Sequence, residues 1–289
     1  MKAFRTSQQF VDYLTSQRHL SRQTVRCYEL DLEQFVSFLQ ADENSEAFSE
    51  QMLEAVDAST IKAYIAFLKS KKYSRSSTAR KLASLRTYYR FLGKHKSVNS
   101  NPAKAVHIPK PERHQPRLLE DREVRKLLEA PSTDNWLGVR NKALLQTLYS
   151  TGVRVGELVA LNVDDIDLAN GLLYVRVKGK KERIISLEQP ALRTLADYII
   201  QRSRFIKYNN NGVKALFLNK FGRRLSQRDV RRKMDKYLAA AGLDRSFSPR
   251  SLRHSFAARK LHTGCDLSTV KELLGHQALV STQVYAGVS

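Results

Sequence analysis

The sequence predicts a two-domain protein that is mainly α-helical, with a small β-sheet in its C-terminal half. Three features indicate this fold: apolar residues at helical spacing in the first hundred residues, a proline-rich stretch near the middle, and one pair of β-rich runs after residue 170. The 289 residues are about twice a typical domain. Hydrophobic residues make up 42% of the chain, which is enough to form buried cores and excludes general disorder.

Residues 1–106 are predicted to form a helical bundle. Three segments have apolar residues three or four positions apart; one follows the cap candidate Ser21, and the third begins near Ser74–Ser77. The apolar positions are Val25, Tyr28, Leu32, Phe35, Val36 and Leu39, then Ile61, Tyr64, Ile65 and Leu68, then Leu82, Leu85, Tyr89 and Phe91.

Residues 107–117 are predicted to be a basic linker, because prolines 109, 111 and 116 favour an extended, semi-stiff chain. Residues 118–289, the second predicted domain, have a mixed pattern of helices and strands. The predicted helices cover Glu120–Leu128, Arg140–Tyr149 and the chain from Ala191 onward, and the predicted hairpin pairs Leu172–Lys178 with Glu182–Leu187.

The composition is strongly basic, since 50 Lys and Arg against 28 Asp and Glu give a formal net charge of +22. A folded protein this basic is expected to bind a polyanion, most commonly nucleic acid. A membrane surface is the alternative, but we find no basic amphipathic anchor, lipidation site, signal-like run or apolar span.

Cys27 and Cys265 lie far apart in the sequence, so we expect a cytoplasmic protein without a structural disulfide or zinc site.

The charges are segregated along the first domain. Glu29 to Asp57 contains nine acids and no Lys or Arg, whereas Ala58 to Pro111 contains many basic residues and no acid. A solvated basic face is one interpretation of the third helix. Because no acid in this stretch can pair with its basic residues, contact with DNA phosphates is the favoured one. The residues predicted to bind DNA are Arg75, Arg80, Lys81, Arg86 and Arg90.

Four short segments of the second domain place reactive residues at defined local positions. They are Gly152–Leu158 with Arg154 at a helix start, the hairpin with Lys178 beside its turn, Pro249–His254 with Arg250 and Arg253 on one helix face, and Leu274–His276 followed nine residues later by Tyr285. Each alone has a structural alternative: Arg154 pairs with Glu157, Lys178 is merely exposed, His276 caps a helix, and Tyr285 docks a chain terminus.

Together and in this order, the segments resemble the tyrosine recombinase family, also called phage integrases, over nearly the whole chain. The resemblance is greatest to the Xer-type recombinases that resolve chromosome dimers. It implies a SAM-like core-binding domain and a catalytic domain that form a clamp around DNA, with Tyr285 forming a covalent 3′-phosphotyrosyl intermediate. The catalytic residues implied are Arg154, Lys178, Arg253, His276 and Tyr285, with Arg250 in place of the family's usual histidine.

The resemblance also implies the biological setting. The expected function is site-specific cutting and rejoining of DNA in the Xer-like resolution of chromosome or plasmid dimers, with a role in chromosome segregation and cell division. The expected partners are double-stranded DNA, a homo- or hetero-tetramer of recombinase subunits on two DNA sites, a second Xer-like recombinase and a septal DNA translocase. No metal or other cofactor is expected, because the phosphotyrosyl bond conserves the bond energy.

The residue chemistry agrees with this interpretation. A phenol oxygen that attacks a phosphodiester creates extra negative charge on the non-bridging oxygens, which arginines can stabilise bidentately without losing a proton. Lys178 on the hairpin tip could give a proton to the leaving 5′-oxygen.

Two features depart from the family pattern. Arg250 can donate a hydrogen bond but cannot accept a proton, and the neighbouring His254 is not expected to substitute for the missing histidine. The sequence also stops four residues after Tyr285, where Xer-like relatives continue into a short helix. A compact mobile-element integrase, a catalytically weak architectural DNA-binding protein and an RNA-binding protein are the alternatives that the sequence leaves open.

Overall fold

The structure, a computed structural model, divides into two compact units, Met1–Arg113 and His114–Ser289. The residues described are 5–42, 50–95, 98–108, 117–176, 182–209 and 212–276, together with Ala278, Thr282, Val284 and Tyr285. The division falls within the predicted linker, of which residues 109–116 lie outside the described residues. The predicted domain limits at residues 106 and 118 stay a prediction.

Every element described in the first unit is helical. The α-helices are α1 Arg5–Asp12, α2 Arg22–Asp42, α3 Glu50–Glu54, α4 Ala58–Ser70 and α5 Arg75–Lys94, with a π-helical segment at Tyr13–Gln17 and a 3-10 turn at Pro102–Lys104. The predicted Ser21 cap is confirmed, because its Oγ accepts a hydrogen bond from the Thr24 amide at 3.1 Å. Ser74 caps α5 in the same way through the Ser77 amide at 3.2 Å. Aromatic side chains fill the core of this unit, for example Phe35 against Tyr64 with ring centroids 4.9 Å apart.

The second unit wraps helices around one buried helix. Its α-helices are α6 Asp121–Glu129, α7 Trp136–Thr151, α8 Val155–Ala160, α9 Gln189–Asn209, α10 Gln227–Ala240, α11 Pro249–His262 and α12 Leu267–Leu274. Helix α7 is buried on nearly all sides and packs against α9 and α11, with Leu144 and Leu148 fully buried. Its buried polar side chains have partners within the core: Arg140 donates to Asn141 Oδ1 at 3.0 Å, and Asn141 Nδ2 donates to the Tyr237 hydroxyl at 2.7 Å.

A three-stranded antiparallel sheet lies beside these helices. Its strands are β1 Ile166–Asp167, β2 Leu172–Arg176 and β3 Glu182–Ser186, in the order β1-β2-β3. The predicted pairing of the two β-rich runs is confirmed for β2 and β3; in their register Leu173 lies opposite Ile185, and both of these side chains face the core. Strand β1 was not predicted, because two residues are too short to show an alternating pattern.

Two further observations concern the described ranges. None of their helices combines the length and apolar character that crossing a bilayer requires. Their His, Cys, Asp and Glu side chains form no group of three or more that could hold a metal ion.

Candidate active site

Arg154 is positioned by the tight turn that ends α7. Gly152 adopts the left-handed conformation with φ of 60°, and a Cβ at this position would lie 2.4 Å from the Phe256 ring. Glycine is therefore required both for the backbone angle and for the close approach to α11. The turn makes Arg154 the residue that precedes α8, as the sequence predicted for a helix start.

Arg253 is placed by the start of α11. Pro249 is the first residue of this helix. The Ser248 amide donates a hydrogen bond to Ser251 Oγ at 3.1 Å, which fixes the N-terminal end of the helix. Arg253 lies one turn further on and is buried, with 6% of its surface exposed. It donates hydrogen bonds to the carbonyl oxygens of Gly152 and of Leu274, the latter at 2.7 Å. Burial, followed by the charge of Arg154, lowers the pKa of Arg253 to about 10, so its guanidinium stays charged at neutral pH.

The end of α12 brings the two arginines together. Arg154 Nη2 donates to the carbonyl oxygen of Gly275 at 3.0 Å, one residue after the carbonyl that Arg253 contacts. Gly275 also has a positive φ, 63°, and a Cβ there would lie 2.7 Å from Arg183 Nη1. The carbonyl end of a helix carries partial negative charge, which favours this gathering of guanidinium groups.

Glu157 links the arginines to the sheet. It accepts hydrogen bonds from Arg154 Nη1 at 2.8 Å and from both terminal nitrogens of Arg183 at 2.7 and 3.1 Å. Burial alone would raise the pKa of Glu157, but the hydrogen bonds from Arg183 and Arg154 lower it to about 2. The pairing of Arg154 with Glu157, which the sequence offered as a purely structural alternative, therefore exists and also orients Arg154 toward α12.

His276 follows Gly275 and is half-buried beside Tyr285, with ring centroids 6.5 Å apart. Its Nδ1 lies 2.8 Å from Thr282 Oγ1. Burial, then the charges of Arg253 and Arg154, lowers the pKa of His276 to about 4, so the imidazole is neutral at neutral pH.

Tyr285 is buried, and its hydroxyl lies 2.7 Å from Nδ1 of His254. Burial raises the pKa of Tyr285, opposed by the charges of Arg253, Arg250 and Arg154. The contact between His254 and Tyr285 was not predicted, because His254 was not expected to substitute for the missing histidine. The spacing of four residues from Arg250 to His254 is the sequence signal that was missed, since it spans one helical turn.

Arg250 lies in the first turn of α11 and is exposed, unlike Arg253. Its charge lowers the pKa of both His254 and Tyr285, which places it beside this pair.

Lys178 lies outside the described residues, so its catalytic role stays a prediction. Arg183 was not among the residues predicted from the sequence, and its link to the site is visible only in its hydrogen bonds to Glu157.

Several basic residues of α5 that were predicted to bind DNA have partners within the first unit. Asp31 on α2 is buried and accepts hydrogen bonds from Arg80 and from Lys81 Nζ, the latter at 2.9 Å. The premise that no acid pairs with these residues was wrong, because the partner comes from another helix. Lys81 is itself buried and therefore unsuited to contact phosphate.

Arg86 is likewise occupied within the first unit, since it donates to the carbonyl oxygens of Ala103 and Val106 at 3.0 and 2.5 Å. Arg75 and Arg90 are exposed. For these two residues contact with DNA stays a prediction.

Comparison with known proteins agrees with this arrangement. Residues 117–289 match the phage integrase family, and residues 7–96 match the phage integrase N-terminal SAM-like domain. The tyrosine recombinase XerC of Natranaerobius thermophilus is 39% identical over 97% of this chain and 93% of its own length. The corresponding protein of Pelotomaculum thermopropionicum is 38% identical over 97% and 92%.

Solved structures share the fold. The crystal structure of XerA recombinase is 27% identical with a TM-score of 0.55, and the alignment covers 98% of this chain and 93% of that one. The XerH site-specific recombinase in its post-cleavage complex with difH is 22% identical with a TM-score of 0.77, covering 97% and 80%. A lambda integrase dimer bound to a core site is 20% identical with a TM-score of 0.72, covering 98% and 77%.

The chain belongs to the phage integrase family, the tyrosine recombinases. Its activity is site-specific cutting and rejoining of DNA strands, and XerC recombinases 38–39% identical to it match almost its whole length.

Proposed function

We propose that Tyr285 attacks the scissile phosphate and forms the 3′-phosphotyrosyl intermediate. The observation that carries this proposal is the position of the Tyr285 hydroxyl, 2.7 Å from an imidazole nitrogen and within the field of three arginines. Arg154, Arg253 and His276 would donate hydrogen bonds to the non-bridging oxygens, where charge develops in the transition state. Lys178 would give a proton to the leaving 5′-oxygen.

The proposed role is the Xer-like resolution of chromosome or plasmid dimers in the cytoplasm. The identity of 37–39% to XerC proteins over about 97% of the chain supports this role. The substrate would be double-stranded DNA, held by a tetramer of recombinase subunits on two sites. A second Xer-like recombinase and a septal DNA translocase would complete the system. A mobile-element integrase has the same chemistry, so the DNA target is what separates the two roles.

Covalent trapping tests the chemical part of the proposal. The purified chain is incubated in EDTA with a half-site duplex that carries a nick near the scissile phosphate. A protein–DNA adduct should form through Tyr285, and Tyr285→Phe should abolish the adduct while leaving DNA binding intact. An adduct that persists in Tyr285→Phe would refute the assignment of the nucleophile. A wild-type chain that binds the site and never forms an adduct would instead indicate an architectural protein.

A further inference from the structure

Helix α11 presents three basic side chains toward the tyrosine. Residues 250, 253 and 254 are three and four positions apart, so they lie on one side of the helix. His254 is half-buried and is the member of this group that reaches the Tyr285 hydroxyl, at 2.7 Å. The imidazole that contacts the tyrosine therefore comes from one helical turn after position 250, where the family's usual histidine is absent.

We propose that His254 is the proton acceptor for Tyr285 in DNA cleavage. This inference rests on the proposed function of Tyr285 and adds the residue that activates it. The Tyr285 oxygen forms a bond to phosphorus while the bond from phosphorus to the 5′-oxygen breaks. The phenolic proton passes to Nδ1 of His254, and the leaving 5′-oxygen takes a separate proton from Lys178. In rejoining, the imidazolium returns its proton to the departing tyrosine oxygen.

The surroundings of His254 keep it able to accept a proton. Arg250 and Arg253 flank it on α11, and Tyr285 and His276 face it from the chain that follows α12. Burial, then the charges of Arg250 and Arg253, lowers the pKa of His254 to about 4, so the ring is neutral at neutral pH. A bound phosphate brings negative charge to the same place, which raises this pKa and favours transfer of the proton to the ring.

Other side chains near the hydroxyl are less suited to this role. Arginine cannot accept a proton, which excludes Arg250 and Arg253. Nδ1 of His276 contacts Thr282 at 2.8 Å, whereas His254 contacts the tyrosine directly. The proposed step requires Nδ1 of His254 to accept, so the proton of the neutral ring is on Nε2 in this step.

The test is single-turnover cleavage of the nicked half-site by His254→Asn at saturating protein. Asparagine keeps an acceptor oxygen close to the position of Nδ1 but cannot hold the proton. Loss of a general base typically costs about 10²–10⁴ in rate, so cleavage should slow by at least the lower figure. The rate of the wild type should fall at acidic pH as His254 becomes protonated. In His254→Asn the inflection set by the pKa of His254 should disappear, and the rate should instead rise steadily with pH as the phenol ionises.

His262→Asn is the matched control, because His262 is an exposed histidine in the last turn of the same helix. It should cleave as the wild type does. Thermal unfolding and DNA affinity of each variant report whether it folds and binds. The proposal is overturned if His254→Asn cleaves as fast as the wild type. It is also overturned if the variant is slower but its rate keeps the wild-type inflection at acidic pH, which would indicate a positioning role.

Arg250→Gln is a second variant on an exposed position. Because Arg250 lowers the pKa of His254, removing its charge should move the acidic fall in rate to higher pH. An unmoved acidic limb would show that His254 does not set it. These outcomes differ from failure of the proposed function, in which the wild type forms no adduct through Tyr285.

Discussion

Arg154 Nη2 lies 3.0 Å from the carbonyl oxygen of Gly275, so an arginine before α8 is held at the end of α12, 121 residues later. Arg253 contacts the preceding carbonyl, that of Leu274, at 2.7 Å. Two guanidinium groups from separate helices are therefore fixed at one helix end before any phosphate arrives. Donors held in place in this way do not have to reorganise in the transition state, which is what makes them effective.

Arg154→Ala and Arg253→Ala should each slow cleavage by about 10²–10³, because each removes one fixed donor to the transition state. DNA affinity should change less than the cleavage rate. The measurement is single-turnover cleavage of the nicked half-site beside equilibrium binding. Equal losses in both would indicate that the arginine only positions DNA.

The same two variants should differ in stability. Arg253 is buried and satisfies two carbonyl groups, so Arg253→Ala should lower the free energy of unfolding by about 1–3 kcal/mol. Arg154 is exposed, so its loss should have a smaller effect. Chemical denaturation followed by circular dichroism checks the order, and the reverse order would contradict the structure.

Glu157→Gln should destabilise the second unit in a pH-dependent way. The pKa of Glu157 is about 2 in the folded chain against an ordinary value of 4.5, and its side chain is 12% exposed. Because the pKa of Glu157 is lower in the folded than in the unfolded chain, its ionised carboxylate contributes about 3 kcal/mol to the free energy of unfolding at a pH above 4.5. This contribution is lost as the pH falls from about 4.5 toward 2.

The stability difference between wild type and Glu157→Gln should therefore be largest at neutral pH and shrink below pH 4.5. Urea denaturation at several pH values measures it. A difference that stays constant with pH would show that the carboxylate charge is not what stabilises the site. Cleavage should also slow, because Arg154 loses its charged partner.

The first unit should contact DNA through Arg75 and Arg90 rather than through Arg80. Arg75→Gln and Arg90→Gln should each flatten the log–log dependence of binding on salt by roughly 0.9, the slope contributed by one phosphate contact. Arg80→Gln should change it less, because Asp31 already pairs with that charge. Glu54→Gln, at an exposed acid, is the control and should leave the slope unchanged. The opposite pattern would mean that the acidic part of this unit faces DNA.

Arg250→His should keep or increase the cleavage rate, and Arg250→Ala should lower it. The reason is that a guanidinium and an imidazolium can both donate to a phosphate oxygen, whereas alanine cannot. Cleavage by Arg250→Ala at the wild-type rate would show that this side chain does not contact the phosphate. Activity that appears only in Arg250→His would support the architectural alternative.

Local features of the sequence predicted a large part of this protein. The spacing of apolar residues located α2, α4 and α5, and the two β-rich runs located the strands of the hairpin. Gly152 and Gly275 marked the helix ends beside which Arg154 and His276 lie. These signals are local, because caps, turns and periodicity depend on neighbours within a few residues.

The sequence by itself thus determined the fold class, the family and the positions of the reactive residue types. Only the tertiary structure decided which of them meet. Asp31 reaches Lys81 from 50 residues away, and Tyr285 meets His254 rather than Arg250. Periodicity shows which face of a helix is apolar, but it does not show which other segment packs there. Whether a charged side chain stabilises the fold or takes part in chemistry depends on the side chain that it meets in the folded protein.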